Sequence, residues 1–171
     1  MKNNFLIFVI IFLMAGLSFS SYKLYDSSRF QAFMMADFNS GKYNTPYEIY
    51  GEKLDDNYPN ISLTALPIKF LKARYFLETD SIDQAKRLLF ESIKANPYIK
   101  GPETLLSQLY FKEEKYDSAL AYSKDAFYTL PDVNAHRHSY FTVLNHLKDS
   151  IELENAFKII KEFNNTEHWY E

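Results

Sequence analysis

Residues 100–133 read KGPETLLSQLYFKEEKYDSALAYSKDAFYTLPDV. Leu106, Ser107 and Tyr110 fall on one helical face, Glu113-Glu114-Lys115 breaks the apolar spacing as a turn, and Tyr116, Ala119 and Ala126 recur along a second helix that Leu130-Pro131 closes. Residues 66–99 repeat this order. There Ala73 and Phe76 answer Ser107 and Tyr110, Ile82 answers Tyr116, Ala85 answers Ala119, Ser92 answers Ala126, and Pro97 answers Pro131. The residue types account for the spacing. Alanine or serine midway along each helix lets two helices cross closely, while an aromatic ring fills the hole beside the crossing. Proline then ends each pair, because it lacks a backbone donor and disfavours helix in the residue before it.

Small, aromatic, aromatic, Ala, Ala and Pro in this order over 34 residues resemble the tetratricopeptide repeat. The resemblance implies an all-α fold, an α-solenoid of stacked antiparallel helix pairs. A third unit is expected from Asn134, with Tyr140, Phe141 and Leu144 on its first helix and Ala156, Phe157, Ile159 and Ile160 on its second. Ala156 falls three residues late, which predicts an enlarged turn around Lys148-Asp149-Ser150 or a longer first helix. A degenerate leading unit over 27–60 is read from Phe30, Phe33, Met34, Gly41-Lys42-Tyr43 and Tyr58-Pro59, with Pro46 near the start of its second helix. The expected helices run 22–39, 44–56, 63–79, 81–95, 101–113, 115–129, 134–147 and 151–163. Trp169-Tyr170 is expected to fold back as a cap.

The N-terminus has a different character. Residues 5–20, FLIFVIIFLMAGLSFS, are an apolar run behind Lys2. Sixteen helical residues span about 24 Å, slightly less than the roughly 30 Å hydrocarbon core of a bilayer. Uniform apolarity on every face favours lipid over a protein core. Ser18-Phe19-Ser20 has the small-x-small form of a signal-peptidase site, whereas Tyr22, Leu24 and Tyr25 would extend a retained anchor into the interface. The segment is read first as an anchor and second as a signal cleaved near Ser20. Either way the positive charge before the run predicts that the rest lies on the extracytoplasmic, periplasmic side. The domains read as 1–21 signal peptide or anchor, 22–62 linker helix and degenerate repeat, and 63–171 repeat domain.

Bulk composition narrows the function. The chain has 15 Phe and 14 Tyr against 4 Gly, a balance that suits packed helices better than turn-rich sheets. A formal charge of −3 argues against a nucleic-acid partner. With no cysteine, thiolate metal sites and cysteine nucleophiles are excluded. The few glycines make no phosphate-binding loop. His136, His138 and His146 share one helix at spacings that direct no two of them at one metal. Asp55-Asp56 and Glu113-Glu114 are adjacent carboxylates, pointing about 100° apart on a helix and read as solvated turns. Asn60-Ile61-Ser62 and Asn164-Asn165-Thr166 match the glycosylation acceptor pattern. No catalytic residue, metal, cofactor or small-molecule substrate is expected.

In the family that the chain resembles, the first helices of each pair line a groove for peptides. Carried onto this sequence, the groove comprises Phe70, Arg74, Leu77 and Glu78, then Thr104, Gln108, Phe111 and Lys112, then His138, Thr142, Asn145 and His146. It lacks the Lys and Asn array by which some relatives clamp a terminal carboxylate. The reading is a non-enzymatic scaffold, membrane-tethered or exported, that holds a protein or peptide partner. The alternative is an accessory or tail region of an envelope glycan polymerase or ligase, since some such membrane enzymes end in a last span followed by a similar helical region.

Overall fold

A computed structural model describes residues 2–42, 47–50, 52–54, 58 and 60–166, with the side chains of 2, 3, 48, 50 and 164–166 left aside. It divides into two compact units, 1–81 and 82–171, so the boundary falls inside the first 34-residue unit. The described elements are α1 (Lys2–Ser40), α2 (Tyr47–Tyr50), α3 (Ile68–Glu78), α4 (Ile82–Ala95), α5 (Gly101–Lys112), α6 (Tyr116–Thr129), α7 (Asn134–Leu147) and α8 (Ser150–Thr166). Among the described residues the fold is all-helical and repeat-like, and its one β feature is an isolated bridge between Ile61 and Pro67.

The first unit is built on α1. No proline interrupts 2–40, so the apolar run and the expected helix over 22–39 are one continuous helix. Gly41 ends it in the left-handed conformation, φ 64°, where glycine carries no Cβ penalty. Beyond Ser20 the helix acquires a packed face: Ser27, Gln31 and Met34 are buried. Met34 meets Leu54, Ile68, Leu71 and Tyr75 in a core that Phe30, Met35, Phe38, Tyr47 and Leu66 flank. The Tyr75 hydroxyl donates to Asp37 Oδ2 at 2.9 Å, tying α3 to α1. The helix expected from 63 starts only at Ile68, since Ala65 sits at φ 63° and Pro67 is the N-cap residue. Of the helix expected over 44–56, 47–50 is helical and 52–54 forms a turn; Tyr43, Pro46, Gly51 and Asp55-Asp56 lie outside the described residues.

In the second unit α5 packs on α6, α6 on α7, α7 on α8 and α4 on α5, and α5 also touches α7. The small residues sit at the crossings: Ala85, Ser92, Ser107, Ala119, Ser123, Ala126 and Ala156 are fully buried. Phe127, Tyr140, Leu144 and Ala156 form a core flanked by Leu120, Phe141, Leu153, Ile159 and Ile160. Tyr110, expected to fill a hole, stacks on Tyr122 with centroids 5.6 Å apart.

The repeat is written in the backbone as well as in the side chains. Asp80, Glu114 and Lys148 adopt φ of 55°, 60° and 57°, each 34 residues after the last. The amides of Ser81, Lys115 and Asp149 donate to the carbonyls of Phe76, Tyr110 and Leu144, and those of Asp80, Glu114 and Lys148 to Leu77, Phe111 and Asn145. This double closure is the Schellman arrangement, which satisfies the last carbonyls of a helix. The turn near Lys148 is not enlarged: α8 begins at Ser150, 34 residues after α6 begins at Tyr116. Leu153 therefore takes the place of Ala119, and Ala156 serves as the buried small residue one turn later. The same register would put a left-handed residue at Pro46, whose ring forbids positive φ. Gly41 supplies it five residues early, and there the leading segment departs from the repeat.

Candidate partner-binding groove

The α5 and α7 helices are positioned by a chain of buried hydroxyls. Ser139 on α7 donates to Ser107 Oγ on α5 at 3.1 Å, and Ser107 donates to the Ala119 carbonyl on α6 at 2.8 Å. Ser123 donates to that same carbonyl at 2.8 Å. A hydroxyl at position 107 thus does more than leave room for a crossing; it links three helices with every donor satisfied.

Above Ser107 and Ser139 a cavity of about 210 Å³ opens to solvent, lined also by Gln108, Phe111, Lys112, His138, Thr142 and Val143. Val143 and the two serines are buried and form its floor, Phe111 is a half-buried wall, and Gln108, Lys112, His138 and Thr142 are exposed at the rim. His146 closes one end without lining the cavity: its ring stands edge-on to Phe111 at 5.2 Å and lies 4.1 Å from Tyr116. Five of the expected groove residues are thereby brought together, namely Gln108, Phe111, Lys112, His138 and Thr142.

The other expected residues are placed differently. Thr104 is buried, its hydroxyl donating to the Lys100 carbonyl at 3.1 Å, so it offers nothing to a ligand. Asn145 is exposed on α7 outside the cavity lining. Within the first unit Phe70 is buried edge-on to Phe38 at 5.9 Å, and the Arg74 guanidinium lies 5.2 Å from the same ring. Leu77 is half-buried and Glu78 exposed. Ser107, Ser139 and Val143 were absent from the sequence expectation as groove residues, because small buried positions read as packing. Their spacing on α7, with Thr142 and His138, was the available signal.

Two charged centres flank the groove helices. Glu152 on α8 accepts from Lys124 Nζ at 2.8 Å, Tyr140 at 2.6 Å and Tyr128 at 3.1 Å. Those donors, Lys124 first and then Tyr140, hold its carboxyl down at about 2. At the start of α5, Lys100 reaches Glu103 Oε1 at 3.1 Å and Asp125 Oδ2 at 2.8 Å. Glu103 is buried with Oε2 unpartnered, and burial raises its pKa. His136 is also buried, its Nδ1 3.3 Å from the Leu130 carbonyl, and burial lowers its pKa. The three histidines of α7 therefore occupy three separate environments. No family model matches this chain, and comparison with curated proteins and with solved structures found no match either.

Proposed function

We propose that this protein is a tetratricopeptide-like, non-enzymatic scaffold that holds a segment of a partner protein in the α5–α7 groove. The observation that carries the reading is the cavity itself, which has a buried floor, an aromatic wall and a polar rim on two successive first helices. Sites for drug-sized molecules run to about 300–1,000 Å³. A volume of about 210 Å³ suits one apolar side chain of a larger partner better. The rim amide, hydroxyl, ammonium and imidazole groups would hydrogen-bond the peptide backbone on either side of that anchor. The antiparallel helix pairs of a solenoid supply the frame, with α5 and α7 as its inner helices and α6 and α8 as its outer ones. The apolar half of α1 tethers the scaffold to a membrane, with the two units on the extracytoplasmic side as the charge of Lys2 favours.

A photoreactive residue placed at Gln108 tests this in intact membranes, with the same residue at Lys158, exposed on α8, as the comparison. Cross-linking to one discrete protein from Gln108 and not from Lys158 is expected. Equal labelling from both sites, or none from Gln108, would sink the reading.

A second reading, a tail region that serves an envelope glycan polymerase or ligase, is favoured by one feature. The apolar segment and the first unit share the single helix α1, as expected of a last span that runs directly into a helical region. Retention of the groove partner in cells deprived of glycan synthesis would speak against it.

A further inference from the structure

Lys2–Ser40 is a single helix in two environments. Its apolar window, mean hydropathy 2.2, is wholly unburied, while Ser27, Gln31 and Met34 are buried in the core of the first unit. Ser18-Phe19-Ser20 sits in mid-helix between these halves with no break in the hydrogen-bond ladder. At the junction the Tyr58 hydroxyl lies 2.6 Å from Ser20 Oγ. The first unit therefore reaches to the last residue of the apolar run.

Around α1 at this level stand Phe19, Tyr22 and Tyr25, all more than 60% exposed. At 100° per residue, Tyr25, Tyr22 and Phe19 lie about 140°, 200° and 260° around the axis from Ser20. Tyr58, itself 48% exposed, fills the remaining side. These rings cover about 9 Å of helix, comparable to the interfacial layer of one leaflet. Residues 5–25 together span about 32 Å, which makes up the length that the apolar run alone lacks against a core of about 30 Å. Tyrosine suits that boundary, with an apolar ring and a polar tip.

We propose that Tyr22, Tyr25 and Tyr58 form a collar that seats the first unit directly on the lipid headgroup layer, around an α1 that stays uncut. The collar has one occupant, the bilayer interface, because the apolar run that continues from it fits no aqueous surroundings. The helix that crosses the membrane is then the same rod that forms the unit's core, with no flexible linker between them. Cutting after Ser20 would sever that rod and remove the group that Tyr58 contacts. This inference is independent of the groove and can fail without it.

The test uses the full chain in phosphatidylcholine vesicles, with Trp169→Phe providing a background free of tryptophan. Into this background Tyr58→Trp, Tyr22→Trp or Leu63→Trp is placed. Leu63 is 90% exposed, and its amide donates to Gln31 Oε1, eleven helical residues and about 17 Å further along α1 than Ser20. The expected result is blue-shifted emission from Tyr58→Trp and Tyr22→Trp, both quenched by lipids brominated near the headgroup end of the acyl chain. Leu63→Trp should be quenched by iodide and not by these lipids, and the intact mass should retain residues 1–20. Lipid quenching of Tyr22→Trp without Tyr58→Trp, equal lipid quenching of Leu63→Trp, or a mass truncated after Ser20 would each overturn the proposal.

Discussion

Glu114 and Lys148 illustrate how much a single backbone angle carries. Each closes a helix at positive φ, where a Cβ crowds the following carbonyl at a cost of about 1–2 kcal/mol. Both are exposed. Glu114→Gly and Lys148→Gly should each stabilise the second unit by about 1 kcal/mol, read from the midpoint of urea unfolding. A loss of stability in both would mean that side-chain contacts, not the cap geometry, hold these turns. Two carboxylates pull in opposite directions as pH changes. Glu152, held at about 2, contributes stability that is present above the ordinary carboxyl range and lost as pH falls toward 2. Glu103 is raised by burial, so the preference of its folded environment for the protonated form is fully felt below the ordinary range and lost as pH rises through its shifted value. Glu152→Gln should therefore destabilise at pH 7 and cost much less at pH 3. Glu103→Gln should flatten the pH dependence above 4.5. Thermal melts of both variants across pH 3–7 check the two signs, and parallel profiles would contradict them.

At the scale of elements, the helix pairs stand on the small residues where they cross. Ala119 is fully buried, and its carbonyl receives both Ser107 and Ser123. Ala119→Leu should force α5 and α6 apart and cost about 1–3 kcal/mol. Ala121→Leu, exposed on the same helix, should cost under about 0.5 kcal/mol. Equal effects of the two, measured by chemical denaturation, would rule out the close crossing. Elements from Ile82 onward were legible in the sequence to within a few residues, because apolar spacing, Pro97 and Pro131 all mark the same boundaries. The first unit was less legible. Its helix α1 serves lipid and protein along one rod, so composition changes at residue 20 while the backbone does not. The late start of α3 reflects Ala65 at positive φ and Pro67, a local conformation that apolar spacing does not report.

For the whole molecule, half of the candidate site could be read from the repeat and half could not. A 34-residue register placed Gln108, Phe111, Lys112, His138 and Thr142 on inner faces, and the structure gathers them around one cavity. Register alone could not tell Thr104, turned into the helix packing, from Gln108 one turn later. Nor could it show that Ser107 and Ser139 meet across α5 and α7, because a hydroxyl relay depends on side chains that are 32 residues apart in sequence. His168 and the expected Trp169-Tyr170 cap lie outside the described residues.

The central claim is that the α5–α7 cavity holds an apolar side chain of a partner. A peptide selected from a random display library on the full-length protein, titrated against wild type and Thr142→Arg by fluorescence anisotropy, tests it most directly. Thr142 is an exposed rim residue whose hydroxyl serves only the His138 carbonyl among the described contacts, so the variant should fold as wild type does. Blocking the cavity should forfeit the burial of one large apolar side chain, about 1.5–3 kcal/mol, and so weaken binding by about 10–100-fold. Unchanged affinity for Thr142→Arg, with wild-type helicity, would place the binding surface elsewhere and contradict the account.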